Sequence, residues 1–233
     1  MRARISLSIV FILAALPLLA GPASAKRVVG TPGDDVLLGT ESQDLMRGLN
    51  GDDHVSGGRR GDNIFGGKGN DVLRAQGGAD RLRGGTGADD ILGQRSSDVL
   101  WSGPGRDTVA GGPDTDVVIG GPGSDVLWGG PQSDRITEGF GDGKLAGGKA
   151  LDYLRGQQGV DRLRGGPGRD RLRPGGGRDT VSGGVGADIV WLDRDERVDV
   201  IRCGHGVDLV LYLRHPIDHK DHYHHCERIQ LEG

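Results

Sequence analysis

The sequence predicts an all-β protein wound as a stack of short coils, a β-solenoid, and three observations predict it. From Gly30 to Trp191 the chain divides into 18 consecutive nine-residue units with no insertion. The sixth residue of the unit is Asp in 17 of the 18 (Gly143 is the exception), and the eighth is Leu, Ile, Val or Met in all 18. Gly supplies 46 of the 233 residues and aromatics only 9, so a core stocked with large rings is excluded. A Gly/Pro content this high without a period would mean disorder; the period decides otherwise. The acids are 28 Asp and 5 Glu, a skew against helices, which favour Glu over Asp and disfavour Gly.

Each column of the unit has a physical reason. Glycines at positions 1, 2 and 4 permit positive φ and close approach of backbones, as tight turns require. Positions 7 to 9 are expected to form a three-residue strand, with position 8 inward and positions 7 and 9 outward. One unit cannot bury its aliphatic residue alone. Two units joined by their turns make a flattened coil of 18 residues, and stacked coils bury two facing rows of position-8 side chains. Nine coils at ~4.8 Å spacing give a rod of about 43 Å.

The same stacking aligns the position-6 carboxylates along the two edges of the rod. Unit charges ~5 Å apart repel by about 0.8 kcal/mol in water and by several times more at a half-buried edge. Each unit offers one aliphatic side chain, worth roughly 1.5–3 kcal/mol, against about 1–2 kcal/mol for ordering each of its nine residues. The columns therefore need a counter-charge. A hard divalent cation that accepts carboxylate and carbonyl oxygens in flexible geometry, Ca2+ rather than Mg2+, suits such turns.

At these residues the sequence resembles the RTX, or haemolysin-type, calcium-binding repeat family, whose unit is G-G-x-G-x-D-x-U-x with U a large aliphatic residue. The units beginning at Gly66, Gly84, Gly120 and Gly183 carry the pattern most cleanly. The resemblance implies a right-handed parallel β-roll of 18 nonapeptide repeats, with multiple Ca2+ ions each held between the turns of unit n and unit n+2. It implies a ligand role for Asp35, Asp53, Asp71, Asp89, Asp107, Asp125, Asp161 and Asp179 on one edge. On the other edge it implies the same role for Asp44, Asp62, Asp80, Asp98, Asp116, Asp134, Asp152, Asp170 and Asp188.

Consecutive units alternate between edges, and the edges differ. Position 4 is Gly in all nine odd units, but in only three of the nine even ones, where Ser42, Arg60, Ser96, Asp114, Gln132 and Ala150 replace it. Most well-formed calcium sites are expected on the odd edge, interrupted at Gly143. On the even edge, Arg59, Arg60 and Arg95 are expected to offset a neighbouring position-6 Asp in place of an ion. An outward row of Phe65, Arg83, Trp101 and Ile119 suits cross-strand packing that stiffens the sheet.

The termini set the context. Arg2 and Arg4, an apolar run to Ala20 and the small residues to Ala25 form an export leader, residues 1–25, with cleavage expected after Ala25. A short lead, residues 26–29, then precedes the repeats. Removing the two arginines takes the formal charge from −4 to −6, which offers no footprint for nucleic acid, and no second apolar stretch remains to span a membrane. Export permits one disulfide between the only two cysteines, Cys203 and Cys226. Residues 192–211 carry two degenerate units, and residues 212–233 are expected to cap the open end. His219, His222, His224 and His225 form a tail that could hold a transition metal weakly. Neither H-E-x-x-H nor G-x-S-x-G occurs, so no catalytic residues are assigned. The expected role is a secreted, extracellular calcium-binding module. The alternative is a calcium-dependent adhesin or matrix protein with cell-surface or matrix polymers as partners, and an enzyme's accessory chain is third. Family members often leave the cell through a dedicated one-step exporter, and the N-terminal leader departs from that.

Overall fold

The computed structural model describes residues 24–193, 195, 197–213 and 220–231. The leader falls almost wholly outside these residues. All regular structure among the described residues is β: 23 strands in two parallel sheets, one of 12 strands and one of 11. Successive strands alternate between the sheets, so the chain crosses from one to the other at every turn. The register is the 18-residue coil, with Ile64 beside Leu82 in the first sheet and Leu73 beside Ile91 in the second. The fold is a parallel β-solenoid. On the same reckoning twelve strands at ~4.8 Å spacing make it roughly 58 Å long, longer than nine coils because the lead, the degenerate units and the C-terminal segment add strands.

The strands correct one expectation. Many are six residues long rather than three, as in Asn63–Lys68 and Arg81–Thr86, because positions 7 to 9 of one unit run on through positions 1 to 3 of the next. Position 2 makes this possible: Gly67 and Gly85 sit at φ 135° and 129°, which lets the chain rejoin the ladder after an unpaired position 1.

Position 8 forms the core. From Leu37 to Val190 every position-8 side chain is at most 5% exposed, and facing rows from the two sheets meet in one cluster. The two extra residues Leu192 and Asp193 lengthen the next coil, so that Thr180 pairs with Val200 and Ile189 with Leu209, 20 residues on. The C-terminal segment does more than cover the end. His222–His224 and Arg228–Leu231 each add a strand to a sheet, and Cys203–Cys226 ties them down as a disulfide with Cα atoms 5.1 Å apart. The buried Tyr212 hydroxyl donates to Asp221 Oδ2 at 2.6 Å.

On the outer face of the first sheet, Arg83 lies 5.8 Å from the Phe65 ring and 5.0 Å from the Trp101 ring, and Arg47 lies 5.6 Å from Phe65. The row packs on itself across strands, as cation–π stacks do.

Candidate metal centres along the two edges

The position-6 aspartates are more deeply buried than an edge implies. Asp53, Asp107, Asp116, Asp152, Asp161, Asp170 and Asp179 are all 0% exposed. Their two oxygens have different fates. Oδ1 accepts the backbone N–H of the equivalent residue one coil earlier: Asp35 N–H donates to Asp53 at 2.9 Å, Asp98 to Asp116 at 2.7 Å and Asp161 to Asp179 at 2.8 Å. Both columns repeat this bond from coil to coil, save at Asp125, whose partner position one coil on is Gly143. In the last coil Asp221 and Glu227 take over the acceptor role, for Asp199 and Asp208. The aspartate is thus a structural cap before it is anything else.

Oδ2 is the chemically open atom. In 16 aspartates, from Asp53 to Asp208 and on both edges, it is buried with no hydrogen-bond partner. A buried ionised carboxylate with a bare oxygen is costly unless a proton or a cation meets it. Burial pushes Asp98 and Asp199 up to about 8, and Asp80, Asp89, Asp134, Asp152 and Asp179 up to about 7. The Oδ1 hydrogen bond partly opposes this, and carboxylates of adjacent coils add to it. The first two units behave differently. Oδ2 of Asp35 takes the hydroxyl of Thr31 at 3.1 Å, and Oδ2 of Asp44 takes that of Thr40 at 2.9 Å, so these two carboxylates are satisfied by protein donors.

The glycine columns shape the space around Oδ2. A methyl group at position 1 would fall 2.0 Å from Asp53 Oδ2 at Gly48 and 2.3 Å from Asp71 Oδ2 at Gly66. At position 4 of the odd turns a methyl would strike the carbonyl oxygen of the coil before: 1.9 Å at Gly87, 1.6 Å at Gly123 and 1.6 Å at Gly141. There φ is 130°, 154° and 133°, a conformation L-residues avoid. On the even edge Arg60, Ser96 and Ala150 sit at φ 71°, 75° and 73°, ordinary left-handed values. The backbone therefore changes at these substituted even turns, while Gly78 and Gly186 on the same edge, at φ 120° and 141°, keep the geometry of the odd turns.

One expectation about these edges is corrected. Arg59, Arg60 and Arg95 do not reach the buried aspartates. All three are exposed, and Arg59 pairs with Glu41 at 3.0 Å on the surface. Among the described residues no salt bridge joins an arginine to a position-6 aspartate. The turn points its position-3 side chain outward and its position-6 carboxyl inward. At Gly143 in the odd column, buried Glu138, from position 1 of the same unit, occupies the empty place: a methyl at Gly143 would lie 2.3 Å from Glu138 Cγ. Burial, then Asp161 and Asp125 in the adjacent coils, push Glu138 up to about 8, with the Asp125 backbone N–H opposing them. The clue in the sequence was that two departures, Glu for Gly and Gly for Asp, fall in one unit.

The histidine tail gathers little among the described residues. His222, His224 and His225 are exposed, and His219 lies outside the described residues. No group of three or more His, Cys, Asp or Glu side chains converges among the described residues. A cation at these edges would therefore draw on one or two carboxylates, with backbone carbonyls of the glycine turns supplying the remaining oxygens. That donor set is hard and all-oxygen, and the donorless Oδ2 atoms fit it.

A parallel β-solenoid that presents one bare, buried carboxylate per turn on both edges is a calcium-binding repeat module. The model of the RTX calcium-binding nonapeptide repeat matches the chain in overlapping segments, residues 29–59, 56–91, 74–109, 83–118, 110–145, 139–172 and 168–196. The chain belongs to this family. No curated protein matches it.

Proposed function

We propose that this chain is an exported calcium-dependent module that stays unfolded inside the cell and winds into its solenoid on meeting Ca2+ outside. One observation carries the reading: the 16 buried Oδ2 atoms without a donor. A neutral-pH solenoid that leaves them charged and bare is self-repelling, and one that holds an ion between neighbouring turns is not. Extracellular calcium modules commonly have dissociation constants of about 10⁻⁴–10⁻³ M, so export from a calcium-poor cytoplasm would act as the folding trigger. In this reading the ligands are the position-6 aspartates from Asp53 onward, while Asp35 and Asp44 cap the N-terminal end through Thr31 and Thr40. Leader removal after Ala25, secretion, and attachment to surface or matrix polymers belong to the same proposal. The self-packed Arg47–Phe65–Arg83–Trp101 row favours a stiff rod over a sugar-binding face.

Circular dichroism of the chain titrated with Ca2+ and, separately, with Mg2+ tests this. Ca2+ is expected to produce the β signal at millimolar concentration or below and Mg2+ to leave it largely absent. A chain equally ordered in excess chelator would overturn the reading.

A further inference from the structure

The unit from Glu138 to Ala146 breaks the repeat twice, and the two breaks are complementary. Position 6 has lost its carboxylate (Gly143), and position 1 has gained one (Glu138). In the neighbouring odd units a methyl at position 1 would fall 2.4 Å from Asp125 Oδ2 at Gly120 and 2.3 Å from Asp161 Oδ2 at Gly156. The side chains of positions 1 and 6 thus compete for one volume. At position 1, Ala75, Ser102, Pro174 and Cys203 share their units with an aspartate, but each is smaller than Glu. In the Glu138 unit the competition is resolved the other way. A methyl at Gly143 would meet Cγ, Cδ and Oε1 of Glu138 at 2.3, 2.8 and 3.0 Å, so the glutamate stem stands where an aspartate would.

Two features separate Glu138 from a mere space-filler. It is 0% exposed, and neither Oε1 nor Oε2 has a hydrogen-bond partner. An aspartate in the column spends one oxygen on the amide of the coil before and leaves one bare; at Glu138 the Asp125 amide favours the charged form but neither oxygen makes a hydrogen bond. Its coil is otherwise intact, since Gly143 N–H still donates to Asp161 Oδ1 at 2.8 Å.

We infer that Glu138 replaces the missing position-6 aspartate as a calcium ligand, supplied from the opposite arm of the turn, so that the odd edge carries an uninterrupted carboxylate column from Asp53 to Asp199. This rests on the calcium reading above and extends it to a residue at which the repeat calls for glycine.

The full chain and its E138Q, E138A and E138G/G143D variants test the assignment through bound Ca2+ per chain, by equilibrium dialysis, and the calcium midpoint of the β signal. E138Q and E138A are expected to bind at least one ion fewer and to raise the midpoint by roughly threefold or more, because calcium sites are tuned by the charge of their ligands. E138G/G143D is expected to restore ion count and midpoint to within about twofold. Should E138A fail to fold, E138Q, which keeps the side-chain shape, and the exchange variant decide. An E138Q variant with the ion count and midpoint of a calcium-binding parent overturns the assignment alone. So does an exchange variant that folds yet stays one ion short. A parent that takes up no Ca2+ overturns the calcium reading itself, and this inference with it.

Discussion

The two edges of the solenoid carry the same carboxylate column on different turns. Along both, from Asp53 onward, the position-6 aspartates are buried, cap an amide of the coil before and leave Oδ2 bare. Along the odd edge position 4 is always Gly, and at Gly69 and Gly123 it stacks with φ at 128° and 154°. On the even edge Arg60, Ser96 and Ala150 take ordinary left-handed turns near 73°, while Gly78 and Gly186 keep the wide φ of the odd turns. The comparison separates two jobs that the repeat motif runs together. The aspartate builds the ladder, and the glycine fixes how the backbone carbonyls approach an ion. An edge can keep the first without the second.

The largest expected effect is one that both edges share. Carboxylates such as Asp98, held near 8, and Asp89, held near 7, ordinarily titrate near 3.8. A carboxylate whose pKa is raised by folding binds its proton more tightly in the folded state. Its contribution is therefore fully present below the ordinary value and is lost as pH rises through 6 to 8. In chelator, the chain should be most stable at about pH 4 and below and should lose order steadily from there towards pH 8. Added Ca2+ should restore order at pH 8 and release protons. Thermal unfolding across that range, with and without Ca2+, measures it; flat stability in chelator would contradict it.

Next comes a contrast in the turns. Gly123→Ala, whose methyl would sit 1.6 Å from the Gly105 carbonyl oxygen, should cost about 3 kcal/mol or more in calcium-loaded stability. Ser96→Ala, at φ 75°, should stay within about 0.5 kcal/mol. Denaturant titrations of the two variants would show whether the glycine turns, all nine on the odd edge, are the intolerant ones. The aspartates should part in a subtler way. In chelator at pH 8 and above, Asp107→Asn and Asp98→Asn should both stabilise, because an amide replaces a buried charge. In Ca2+, the odd-edge Asp107→Asn should raise the calcium midpoint by roughly threefold, and the even-edge Asp98→Asn by less than about twofold. Equal shifts would erase the distinction between edges. The smallest effects lie outside both edges. Arg83→Ala, which empties the contact between the Phe65 and Trp101 rings, should cost about 0.5–1 kcal/mol, and should leave the calcium midpoint unchanged.

The solenoid was legible because position 8 and position 6 repeat every nine residues, and a period that long admits few folds. The six-residue strands were not, because positions 1 to 3 are rich in Gly and read as turn, and only the stacked neighbour shows that Gly67 rejoins the ladder beside Gly85. The burial of the aspartates was underestimated for a related reason: sequence gives the column but not the direction of the carboxyl, which turns inward behind position 1. The Arg59 and Arg95 expectation failed on the same point, since inward and outward positions alternate through the turn. The last coil escaped because Asp221 and Glu227 are six residues apart, not nine, although they accept the same kind of hydrogen bond as the repeats. Thr31 and Thr40 were visible as departures from Gly at position 2, but their hydroxyl bonds to Asp35 and Asp44 needed the folded turn.

In the calcium reading proposed above, each buried Oδ2 column is met by ions. Diffraction from crystals grown in Ca2+, with anomalous scattering used to place the ions, tests it most directly. A row of peaks is expected along the odd edge, one between neighbouring turns, each within ~2.6 Å of a position-6 carboxylate oxygen, and a sparser row along the even edge. Well-ordered coils whose aspartate oxygens contact no ion on either edge would contradict it.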